Sequence, residues 1–410
     1  MVLVERHQPE RNQPSGHERA DRRPTLGSLT LSSVRWRRSF AAAAVAGFVL
    51  VSGCGFGAKS STPAHSPEAG VHVFLWGNFD TSQRDVKLAK EGGFGWVKQR
   101  FEWRYIEGGA KGRFEWNEPD RIMKAVDDAG LKVVVRLDNQ PAWARADGIF
   151  PQSGPADRLS DWTDYLTAVA TRYKGRIAGY QIWNEPNLAV EWGGKTPNAA
   201  EYTQLLIASY QAIKRADPQA VVITAGLSPT TDTSPSARPD VQYLKEMYAA
   251  GAKGSFDLLG AHGAGFKAEP EADPAVVALD PSLTNNDPSA PELKRIYTFR
   301  HVEDLRKVMV DQGDSDHKMA ILEMGWTSDP RADSPYRWHS VTEDQKADYL
   351  VRAFRYAWAN WSYVAFMTVL YIPDPTWTRS QEQLYWSITN PDGSARPAYR
   401  SLQTALFSKT

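Results

Sequence analysis

From Val71 onward the chain alternates short apolar runs rich in β-branched residues with longer stretches whose apolar residues recur at three and four spacing, and it does so eight times. Few architectures accept that pattern. A run apolar throughout suits a strand buried on both faces of a parallel sheet, and the helical stretch behind it is the crossover such a sheet requires. The predicted strands are Val71 to Trp76, Trp96 to Phe101, Lys132 to Leu137, Tyr180 to Trp183, Val221 to Ala225, Leu258 to His262, Met319 to Glu323 and Val364 to Leu370. The predicted helices are Ser82 to Lys90, Asp120 to Ala129, Asp157 to Tyr173, Ala199 to Ala216, Val241 to Ala250, Thr298 to Gln312, Thr342 to Trp361 and Ala398 to Leu406. Eight such units in residues 71–410 point to one (β/α)8 TIM barrel rather than two domains. A doubly wound open sheet is the alternative, but no G-x-G-x-x-G fingerprint follows the first strand. Gly263 to Tyr297 has no helical or strand period and is rich in Pro, Asp and Asn, which marks a long functional loop over the barrel mouth.

Composition removes several function classes. With 42% hydrophobic residues the chain can bury a large core, and 48 Lys+Arg against 48 Asp+Glu leave no basic footprint for nucleic acid. A single cysteine excludes a disulfide framework and any cysteine-rich metal site. Its place is informative. Residues 1–53 are a polar extension followed by Arg35-Trp-Arg-Arg-Ser39 and an apolar run, Phe40 to Val51, too short to span a bilayer but shaped like a secretory signal. The run ends in Val51-Ser52-Gly53-Cys54, which resembles the lipobox of bacterial lipoproteins, so Cys54 is the expected lipidation point. Arg37-Arg38-Ser39-Phe40 is similar to a twin-arginine export signal, and an early start codon is another source of the long polar front. Residues 54–70, rich in Gly, Ser, Ala and Pro, read as lipid anchor and flexible tether. The expectation is an exported, membrane-anchored monomer whose body is mildly acidic.

Barrel enzymes work at the carboxyl ends of their strands. Two acids close apolar strands: Glu185, in Trp183-Asn184-Glu185-Pro186-Asn187, and Glu323, after Met319-Ala-Ile-Leu322. They close strands four and seven, and only the closed barrel brings them face to face. Two carboxyl groups across a cleft are what glycoside hydrolysis needs, one to protonate the leaving oxygen and one to attack the anomeric carbon. The Asn-Glu-Pro triplet recurs at Asn117-Glu118-Pro119. That copy follows no strand and opens a helix, with Asn117 as the expected N-cap, so Glu118 is read as structural.

These motifs resemble clan A of the glycoside hydrolases, retaining enzymes on a (β/α)8 barrel. More narrowly, Arg100-Phe-Glu-Trp103 with Ile106-Glu107, Gly112-x-Phe-x-Trp116, Arg136-Leu-Asp-Asn-Gln-Pro-Ala-Trp143 and the late Arg396-Pro-Ala-Tyr399 are similar to family 39 and its bacterial endoglycosidases acting on exopolysaccharide. The resemblance implies Glu185 as general acid/base and Glu323 as nucleophile. It further implies Asn184 on the sugar 2-hydroxyl, with neither cofactor nor metal. Arg100 is expected to pair with Glu323, His262 to orient the nucleophile or a sugar hydroxyl, and Asp138 and Asn139 to bind hydroxyls.

Sugar rings present apolar faces that stack on aromatic side chains. Trp76, Trp103, Trp143, Trp183, Trp326 and Trp377 lie at strand ends or in top-face loops, whereas Trp162 and Trp358 lie within helices and are expected in the core. The expected partner is a polysaccharide or oligosaccharide, cleaved internally. The competing readings are an exo-acting, xylosidase-like enzyme, a carbohydrate-binding barrel without catalysis, and a metal-dependent hydrolase. The last would need clustered His and Asp ligands, while the strands offer only His72 and His262.

Overall fold

Eight parallel strands close on themselves in the computed structural model, which describes residues 66–408. They are β1 (Glu68–His72), β2 (Trp96–Glu102), β3 (Lys132–Asp138), β4 (Gly179–Ile182), β5 (Val222–Ile223), β6 (Leu258–Ala264), β7 (Lys318–Gly325) and β8 (Val364–Val369). Each pairs with its neighbours in sequence. Gly70 on β1 stands beside Trp96 on one side and Thr368 of β8 on the other, which closes the ring. The helices Phe79–Glu91, Asn117–Asp128, Leu159–Arg172, Ala199–Ala216, Asp240–Ala249, Val302–Asp311, Glu343–Asn360 and Pro397–Phe407 carry the chain between the strands and close the fold.

Local chemistry sets several of these boundaries. Asn198 caps Ala199–Ala216 by accepting from the N–H groups of Ala200 and Glu201, and Thr342 with Gln345 forms a capping box at Glu343. The helix at Asn117 departs from expectation. Asn117 is its first helical residue and makes no cap; Glu118 instead accepts from Gly77 N–H at 2.8 Å and pairs with Arg121, a structural role. β1 begins earlier than the sequence pattern suggested. Glu68 to Gly70, assigned above to the tether, are its first residues, held because Glu68 takes bonds from Trp96 Nε1 at 3.1 Å and Lys132 Nζ at 2.9 Å. β5 is cut to two residues. Side chains replace its ladder there: Thr224 Oγ1 accepts from Gly260 N–H and the Tyr202 hydroxyl from Ala225 N–H. The signal segment, Cys54 and residues 54–65 of the tether lie outside the described residues. No helix among the described residues is long and apolar enough to cross a membrane.

Alternation along the strands divides the barrel interior into layers. Val134, Ile223, Ala320, Leu322 and Phe366 form an apolar floor, on which Trp96 stacks against Phe366 at 4.5 Å. Two residues further along β2 and β3 the same inward face carries Lys98 and Arg136, and two further still Arg100 and Asp138. Charge therefore lies directly on top of the floor. The larger hydrophobic cluster fills the space between strands and helices.

The segment after β6 is not featureless. It holds short helices at Pro274–Val277 and Pro291–Lys294 and 3-10 turns at Arg295–Tyr297 and Phe299–His301, so the expected helix Thr298 to Gln312 starts only at Val302. Ala264, Phe266, Ala268, Val277, Ile296 and Tyr297 make a small core of its own, with Trp338 against it. Arg352 ties it to the outer helix through Glu269 and Glu271.

Candidate active site

Both strand-end glutamates reach the same side chain. His262 Nδ1 lies 3.0 Å from Glu185 Oε1, and His262 Nε2 lies 3.8 Å from Glu323 Oε1. All three are buried. Irregular backbone aims them. β6 shifts register between Ala261 and His262, placing His262 opposite Glu323, and β7 is irregular against β8 between Ile321 and Met324. Beyond β4, Trp183 and Glu185 adopt φ values of 69° and 42°, a region that costs energy for residues with a side chain. The surrounding bonds hold them there: Trp183 N–H donates to Leu137 O, Glu185 N–H to Gly226 O, and the Trp183 indole to Glu191 O at 2.8 Å. Gln181 Nε2 donates to Asn184 Oδ1 at 3.3 Å and to Trp183 O at 2.9 Å, fixing the turn beneath Glu185.

Gly226 makes room for the histidine. A Cβ at that position would stand 2.2 Å from the His262 ring, so Gly226→Ala must displace the imidazole that links the two carboxyls. A fall of about 10- to 100-fold in kcat/KM is expected for this variant, as for other approximately 1 Å misplacements. Steady-state kinetics beside a melting curve would check it, and unchanged kinetics would exclude a role for the histidine.

The two carboxyls sit in different electrostatic surroundings. Burial raises the pKa of Glu185 above the usual carboxyl range; His262 and Arg136 work against that rise, and the charge of Glu323 adds to it. Glu323 Oε1 instead takes an ion pair from Lys98 Nζ at 2.7 Å, with Arg136 Nη1 at 4.0 Å. An ammonium at that distance favours the ionised carboxylate.

This corrects the expected partner of the nucleophile candidate. Arg100 pairs with Glu102 at 3.0 Å, because on β2 it stands one layer above Lys98. Asp138 is fully buried and accepts from Arg136 Nε, so it steadies a cation beside Glu323. Asn139, at φ 56°, donates to Glu102 Oε2 at 2.9 Å and accepts from Arg104 N–H through its carbonyl. Both belong to the wall of the site, not to a free surface.

The tryptophans divide differently from expectation. Trp103 is buried against Trp143, Trp162 and Tyr165 and donates to Glu107 at 2.7 Å, and Trp326 is buried with its indole on Ala268 O. Trp183 is likewise core, packed between Trp162 and Trp192. Trp143 is partly buried and donates to Glu107 O, and Trp377 packs on Phe74 and Tyr371. Trp76 keeps a partly exposed face, 5.7 Å from the exposed ring of Tyr105. Trp162 is in the core as expected, and Trp358 packs partly buried against it.

Lys98, Arg136 and Gly226 were not assigned roles from the sequence. A signal existed for the first two: each is a charge at an inward position of an otherwise apolar strand. Among the described residues no group of three or more His, Cys, Asp or Glu could hold a metal ion.

A family model for cellulase, glycosyl hydrolase family 5, matches residues 55–288, more than half of the chain. The chain belongs to glycosyl hydrolase family 5. No curated protein matches the sequence significantly. Among solved structures, a family 39 glycoside hydrolase from Bacteroides cellulosilyticus WH2 superposes with TM-score 0.58 at 16% identity, over 83% of this chain. The match spans 63% of that protein's own length. Xylanase 10B from Thermotoga maritima gives TM-score 0.54 at 14% identity, covering 83% of this chain and 95% of the xylanase. XacCel5A, solved in complex with cellopentaose, gives 0.53 at 13% identity, covering 82% and 98%. Families 5, 39 and 10 are all clan A glycoside hydrolases, so this family 5 chain has the clan's barrel, and family 39 appears among its structural neighbours.

Proposed function

We propose that this family 5 chain is a retaining glycosidase that cleaves within a polysaccharide, exported and held at the membrane by a lipid on Cys54. The observation that carries the reading is the pair Glu185 and Glu323, on opposite sides of His262 and in unlike environments. Environments that drive two acids apart assign their roles. Glu185, with a raised pKa, protonates the glycosidic oxygen as the bond to the anomeric carbon breaks. Glu323, held by Lys98, attacks that carbon from the other face and forms a glycosyl ester. Ester formation removes the negative charge of Glu323 that raises Glu185, which then takes a proton from water as the water cleaves the ester. Two displacements restore the starting configuration.

Attack within the chain is supported by the long excursion after β6, by the family's cellulase description and by the cellopentaose complex of XacCel5A. Incubating residues 55–410 with a panel of polysaccharides, then following the first product by proton NMR, tests both parts. The first-formed anomer is expected to match the substrate, and polymer length to fall before monosaccharide appears. An inverted first product would overturn the double displacement; release of single sugars from an intact polymer would overturn internal attack.

A further inference from the structure

Six residues beyond Glu185 stands another acid, Glu191, whose charged neighbours include Glu185 and Arg136. Glu185 O accepts from Leu188 N–H at 2.9 Å, and Leu188 O accepts from Glu191 N–H at 3.1 Å, so Glu191 is tied to Glu185 by two consecutive bonds. The 3-10 turn Ala189–Glu191 is locked further by the Trp183 indole on the Glu191 carbonyl and by Trp192 packed on Trp183. Glu191 is only 6% exposed, yet its carboxyl group makes no hydrogen bond or ion pair among the described residues. The charges that face it are Arg136 and Asp138 from β3, Arg100 from β2 and Glu185 itself. The Glu191 carboxyl oxygens do not belong to the fully buried unpartnered polar atoms, so the carboxyl keeps an opening through which a hydroxyl-bearing ligand can bond it.

We propose that Glu191 binds substrate, its carboxyl group hydrogen-bonding a hydroxyl of the sugar chain beside Glu185. Burial pushes its pKa up to about 8, with Arg136 opposing and Glu185 adding to the rise. At pH 7 the group is therefore a neutral acid with an O–H to donate. Above pH 8 it becomes an acceptor only, and its charge faces Glu185. The inference rests on the glycosidase reading of Glu185 and Glu323.

Two variants test it in the whole chain. Glu191→Ala should raise KM about tenfold at pH 7, the size of one lost hydrogen bond, with kcat within about threefold. Glu191→Gln keeps a neutral donor and should stay within about threefold of wild type at pH 7. Its KM should remain flat from pH 7 to 9, where that of the wild type rises. Stability gives a reading without substrate. A folded pKa above the unfolded value of 4.5 means that the native state holds the extra proton, so the wild type loses stability as pH rises from about 4.5 to 8. The Tm of Glu191→Gln should lack that loss. An unchanged KM in Glu191→Ala, or the wild-type rise in KM persisting in Glu191→Gln, overturns the proposal. If Glu323→Gln is inactive while both Glu191 variants behave as wild type, only this inference fails. If the wild type hydrolyses nothing in the panel, the glycosidase reading fails first.

Discussion

Under the proposed double displacement, Glu323→Gln is expected to lower kcat by at least about 10³-fold with the barrel intact, since the loss of the covalent nucleophile leaves only binding and electrostatic assistance. The substitution removes the attacking oxygen anion and leaves the buried Lys98 ammonium without its counter-charge, which lowers stability but leaves the backbone in place. An amide oxygen can still accept from Lys98 Nζ, now 2.7 Å from Glu323 Oε1, and the apolar floor below is untouched. Circular dichroism should therefore superimpose on the wild type. The companion variant Glu185→Gln sharpens the assignment. Without a general acid, poor leaving groups are lost, but an aryl glycoside with an acidic phenol needs no protonation and should still form the glycosyl ester as a burst. Glu323→Gln should show no burst on any substrate. Near-normal hydrolysis by Glu323→Gln would sink the role given to β7.

Lys98→Met carries the second large effect, and it appears in two measurements. The ammonium is buried on the inward face of β2 with Glu323 as its ion-pair partner, and breaking a buried pair from one side costs about 3–5 kcal/mol because the remaining charge stays unpaired. Arg136, at 4.0 Å and already engaged with Asp138, compensates weakly. With the cation gone, the Glu323 carboxylate loses the charge it is paired with, and a drop of about 100-fold in kcat is expected. Chemical denaturation checks the first effect and steady-state kinetics the second. The double variant Lys98→Met with Glu323→Gln should recover most of the lost stability while staying inactive. Full loss in the double variant would mean that Lys98 supports the barrel by packing rather than by charge.

The barrel was legible in the sequence because its strands are apolar throughout and its helices keep a separate period. Glu185 and Glu323 were legible as acids closing strands, and the structure brings both to His262. Arg100 was misassigned because a charge near a strand end was counted by position along the chain. Counting by twos from Trp96 puts Lys98, not Arg100, in the layer below, and Lys98 holds Glu323. The register shifts at β6 and β7 that aim His262 and Glu323 leave no mark in composition or period. Trp103 and Trp326 look like subsite residues in sequence, since a tryptophan after a strand reads the same whether it faces a ligand or folds under the rim. Only the indole partners, Glu107 and Ala268 O, distinguish the two.

The small core after β6 has an evolutionary consequence. Ala264, Phe266, Ala268, Val277, Ile296 and Tyr297 pack on one another and on Trp338 rather than into the cluster between strands and helices. Changes on the outer surface of that segment, where Val276 and Leu279 stand exposed, need not be registered by the cluster that keeps the barrel folded. Selection can therefore remodel this rim while Glu185, His262 and Glu323 keep their positions. The rim segment and the pair of acids are thus packed as separate pieces of the same chain, free to change at different rates.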